Sequence, residues 1–60
     1  MTTYTFIIMS IAYTQMGRTS SILEIKAFTL AFAIALANDN LPTGYMLNSV
    51  LVGNTLIETF

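Results

Sequence analysis

Five side chains in this 60-residue chain carry charge, Arg18, Glu24, Lys26, Asp39 and Glu58, and there is neither histidine nor cysteine. Acid–base catalysis by two carboxylates needs them convergent in a cleft with separated pKa values, and a nucleophilic hydroxyl needs an adjacent base. Glu24, Asp39 and Glu58 fall in separate segments, at no spacing that pairs them. Lys26 is the other candidate base. Among its apolar neighbours it is expected to extend its amine to water rather than lie buried and neutral. The inventory argues against an enzyme, against a disulfide framework and against a zinc site of nitrogen and sulfur ligands. It implies no cofactor.

One short stretch has chemical direction. "GRTSS" places Gly17, Arg18, Thr19, Ser20 and Ser21 ahead of Ser21-Ile22-Leu23-Glu24, which has the S-x-x-E form of a capping box. A helix launched at Ile22 would present free amides and the positive end of its dipole here, and Arg18 would add a charge-assisted contact. Together these suit a phosphate group. Hydroxyls before a helix are also ordinary caps, and no P-loop or dinucleotide fingerprint accompanies them. The ligand this stretch would take is a small phosphorylated molecule such as a nucleotide, held where several Arg18 side chains converge between subunits. Nucleic acid is excluded on charge, because two cations within a net charge of −1 cannot neutralise a run of phosphates.

The elements that must position these residues follow from pattern and propensity. Residues 3–15, "TYTFIIMSIAYTQ", are rich in Thr, Ile, Tyr and Phe and read as a strand with both faces apolar. After the Gly17 turn, the capping box launches a helix that runs through "AFTLAFAIALA", where alanine favours helix over strand. Because large and small residues alternate, residues four apart share a size class. Phe28, Phe32 and Leu36 make a ridge, and Ala27, Ala31 and Ala35 a groove that a second backbone can approach. These six residues are the expected interface. The helix stops at "NDNLPTG", where Asn38, Asp39 and Asn40 cap and Pro42 disfavours helix at Leu41. Gly53-Asn54 then separates two short strands, 45–52 and 55–59. Tyr4, Tyr13 and Tyr45 read first as packing residues and second as partner anchors. Asn48 and Asn54 read as turn residues.

The expected fold is one α+β domain over residues 1–60, in the order β-α-β-β with a very apolar central helix. An all-α arrangement of three helices is the alternative. With 55% hydrophobic residues, a mean hydropathy of +0.72 and only 8% charged residues, the chain falls well below the roughly 25–35% charge of a soluble surface. A helix apolar nearly all round is either buried on several sides or inserted in lipid, and an obligate homo-oligomer is expected; the alternative is that one helix face packs on the chain's own sheet while the Ala stripe lies in solvent. No apolar run reaches the ~20 residues that cross a bilayer. No basic residue precedes "FIIMSIAY" to start a secretory signal, and a cytoplasmic location is expected. The functions compatible with this are three. The first is a non-catalytic homo-oligomer acting on a protein partner as inhibitor or adaptor. The second is a homo-oligomer sequestering a phosphorylated small molecule around Arg18, and the weakest is a small membrane-associated subunit.

Overall fold

The computed structural model describes residues 1–11 and 19–60. Their elements are β1 (Thr2–Ser10), β2 (Ser20–Ala27), α1 (Leu30–Asp39), β3 (Tyr45–Val52) and β4 (Thr55–Thr59). The α+β class expected from the sequence is present, and the all-α alternative is not. The order is β-β-α-β-β rather than β-α-β-β.

That difference lies in Ser20–Ala27, "SSILEIKA", which is a strand and not the opening turns of a helix. Its residues sort at period two: Ile25 and Ala27 are buried and Leu23 half-buried, whereas Ser20, Ile22, Glu24 and Lys26 are exposed. Pairing with β1 rewards that alternation, setting Tyr4 against Ile25, Phe6 against Leu23 and Thr2 against Ala27. A helix over the same residues would scatter these apolar side chains around its axis. The local S-x-x-E signal at Ser21 and Glu24 loses to this long-range pairing.

The helix begins three residues past the strand, at a cap that no motif in the sequence marks. Thr29 is extended, with φ −133° and ψ 156°, and its Oγ1 accepts from the Phe32 amide at 3.2 Å. A threonine hydroxyl taking up one of the four free amides of a first turn is ordinary N-cap chemistry. At the other end Asn40 closes the helix twice, its side-chain amide donating to the Leu36 carbonyl at 2.8 Å and its backbone amide to the same carbonyl at 3.1 Å. The stop at "NDNLPTG" is as expected.

The sheet is antiparallel throughout, in the order β2-β1-β3-β4. Helix and sheet meet at β2 and β1. The core between them holds Tyr4, Phe6, Ile8, Ile25, Ala27, Val50, Ala33 and Ala37. A turn over residues 42–45 leads into β3, with the Tyr45 amide donating to the Pro42 carbonyl at 3.1 Å and Gly44 at φ +85°. A positive φ at the third turn position is what a type II turn requires and what glycine supplies without strain. The Gly53-Asn54 hairpin forms where expected. Gly53 sits at φ +61°, and among the described residues no non-glycine residue has positive φ, so Asn54 does not, which is the φ pattern of a type II′ turn.

Candidate functional site

The helix N-terminus on which the "GRTSS" site depended is elsewhere. Thr19, Ser20 and Ser21 are exposed at the start of β2, so neither free first-turn amides nor a helix dipole acts there. Gly17 and Arg18 lie outside the described residues, as does Tyr13. The Thr19 amide donates to Ser10 Oγ at 3.1 Å, and the Thr19 and Tyr45 hydroxyls share a hydrogen bond at 3.2 Å. These hydroxyls tie Thr19, just ahead of β2, to Ser10 of β1 and Tyr45 of β3. Among the described residues there is no pocket and no group of acidic, His or Cys side chains that could hold a metal.

The predicted interface residues divide. Ala27 is filled in by the chain's own core, at 1% exposure, and ends β2 rather than lining a helix groove. Phe28 and Phe32 are 77% and 57% exposed, and Ala31 and Ala35 are exposed while Leu36 is half-buried. The alanines that accept a close neighbour are Ala33 and Ala37, both at 0% and packed on the sheet. Residues two apart on a helix point about 200° apart, so Ala31 and Ala35 turn their backs to the sheet. The helix alanines that pack in the chain's own core are thus Ala33 and Ala37, not the Ala31 and Ala35 expected to line a groove.

Strand alternation builds a second surface. Opposite the helix, the register aligns Ile22 with Ile7, Met9 with Met46, Thr5 with Leu51, and Leu51 with Leu56. These residues share one face of the sheet, because directly paired residues point the same way. Ile22, Met46 and Leu56 are among the exposed large hydrophobics, and Ile7, Met9 and Leu51 are half-buried. Glu24, Lys26, Thr3 and Thr5 border this band on the β2 side. No described helix or strand covers the face. The signal was present in the sequence as two apolar faces on β1, both needing cover, and the helix covers only one of them.

No family model matches the chain, and neither a curated protein nor a solved structure matches it. Among the described residues no helix is long and apolar enough to cross a membrane.

Proposed function

We propose that the chain is a non-catalytic, homo-oligomeric binding protein that acts on a protein partner, as an inhibitor or adaptor, through the uncovered face of its sheet. The observation that supports this is the band of Ile7, Met9, Ile22, Met46, Leu51 and Leu56 on that face. An apolar band, interrupted by the buried Ser49 opposite Ile7 and with a polar border of Thr3, Thr5, Glu24 and Lys26, has the anatomy of a protein interface, with a mainly apolar centre and a hydrogen-bonding rim.

The test compares the parent with Met46→Lys and Leu56→Lys. Both positions are exposed on the band, so the variants are expected to fold and melt close to the parent and to lose the proteins it retains from host extract. Retention of the same proteins by parent and variants would overturn the assignment of this face. The phosphorylated-ligand reading now rests on Arg18 alone. Heat on titration with nucleotides, abolished by Arg18→Ala, would put it ahead of the protein-partner reading.

A further inference from the structure

Among the described residues β2 is an edge of the sheet, since the strands run β2-β1-β3-β4. An edge strand offers a row of amides and carbonyls to another chain. Which residues of β2 face outward follows from one hydrogen bond. The Ser10 amide donates to the Thr19 carbonyl at 2.9 Å, continuing the register that sets Met9 opposite Ser20. Bonded and non-bonded pairs alternate along an antiparallel ladder. Ser21, Leu23, Ile25 and Ala27 therefore bond β1, and Ser20, Ile22, Glu24 and Lys26 turn their backbone groups outward.

We propose that two copies of the chain join antiparallel along β2 about a two-fold axis at Ile25, so that each Glu24 pairs with the partner subunit's Lys26. This deepens the homo-oligomer part of the proposed function and is independent of its protein-partner part. In such a pairing outward residues must meet outward residues, which places the axis on a residue and not between two. An axis at Glu24 or Lys26 sets like charges against each other. An axis at Leu23 sets Glu24 against Ile22 and Lys26 against Ser20. Only the axis at Ile25 joins opposite charges, and it does so twice. Inside the chain the residues opposite Glu24 and Lys26 are the uncharged Thr5 and Thr3, so both charges remain available to a second copy.

The same register brings Ile22 level with the partner subunit's Phe28, one residue beyond the strand. These two are 64% and 77% exposed in the single chain. The segment from 22 to 28 thus reads apolar, acidic, basic, apolar at every second residue, a pattern complementary to its own reverse, as an isologous interface demands. The β4 edge has no such pattern. Glu58 is its one charge, and a two-fold pairing there sets it against itself or an uncharged residue. Joining at β2 gives an eight-stranded sheet with both helices on one face and both apolar bands on the other, flanking the paired charges of the seam.

The test is sedimentation of parent, E24K, K26E and the E24K/K26E double variant over a dilution series. E24K sets cation against cation at both pairs, and K26E sets anion against anion. Each is expected to raise the dimer dissociation constant about tenfold or more, from the loss of two cross-strand attractions and the gain of two repulsions. The double variant, and an equimolar mixture of the two single variants, are expected to recover parental association, because the mixture joins a cationic edge to an anionic one. Recovery on mixing also shows that each single variant is folded. A parent that is monomeric at every concentration overturns both the dimer and the homo-oligomer reading. A parental dimer indifferent to E24K and K26E, or a loss that mixing does not repair, overturns this edge and register while the homo-oligomer reading stands.

Discussion

Thr29 decides where the helix starts, through a single hydroxyl accepting the Phe32 amide at 3.2 Å. Thr29→Ala is expected to lower the unfolding free energy by about 1 kcal/mol, the usual loss when an N-cap oxygen is removed. Thr29→Ser, which keeps the oxygen, should stay near the parent. Denaturant melts of the two variants check this, and equal loss in both would mean that the methyl rather than the hydroxyl matters. Ser21→Ala carries the opposite expectation, a change within about 0.5 kcal/mol, because Ser21 is an exposed strand residue here and caps nothing. Both residues are hydroxyls ahead of an apolar run, and Ser21 has the better motif, with Glu24 three residues on. Motif alone could not rank them. What separates them is that the residues after Ser21 alternate at period two against a strand far earlier in the chain, whereas those after Thr29 have no strand to pair with.

At the scale of the element, α1 is built inside out relative to a typical amphipathic helix. Two of its four alanines, Ala33 and Ala37, are at 0% exposure, while Phe32 is 57% exposed. Small side chains let the helix axis approach β2 and β1 closely, and this makes the contact intolerant of volume. Ala33→Leu is expected to cost about 1–3 kcal/mol through overpacking, while Ala31→Leu, on the outward side, should be close to neutral for folding. Thermal melts of the pair give the answer, and equal effects would contradict the orientation of the helix. The size alternation of "AFTLAFAIALA" was legible as helix. The side that faces the sheet was not, because stripes of Ala at 27, 31, 35 and at 33, 37 are equivalent until a partner surface is specified. The termination of the helix and the Gly53 hairpin were legible because they rest on local chemistry: amide caps, a proline, and a glycine able to take positive φ. The candidate site was legible only as a need for cover on β1, since its other members come from three more strands whose register no local pattern fixes.

For the molecule as a whole, the decisive asymmetry among the described residues is that one helix packs on β2 and β1 of a four-stranded sheet and leaves the other face without a helix. β1 is central, with Phe6 and Ile8 at 0% and 2% exposure. β4 is an edge, exposed along its whole length; it pairs with β3, and Phe60 just beyond it stacks on Phe6 at 6.3 Å between ring centroids. Local opening follows buried apolar contact and neighbour pairing, so amide exchange is expected to be slowest for Phe6 and Ile8 and fast across β4. β2 is an edge as well, and in a lone chain the outward amides of Ile22, Glu24 and Lys26 would exchange as freely as those of β4. If two chains join along β2, those three amides gain carbonyl partners on the second copy, since the Glu24 and Lys26 pair is then a bonded one. Their exchange is therefore expected to slow with rising protein concentration, because a dimer linked to folding gains stability by mass action. β4 would stay fast at every concentration. Residue-resolved hydrogen exchange along a dilution series reads both edges in one experiment. Outward β2 amides that exchange as fast as those of β4 at every concentration would show that the edge is free and that the charges at 24 and 26 face only solvent.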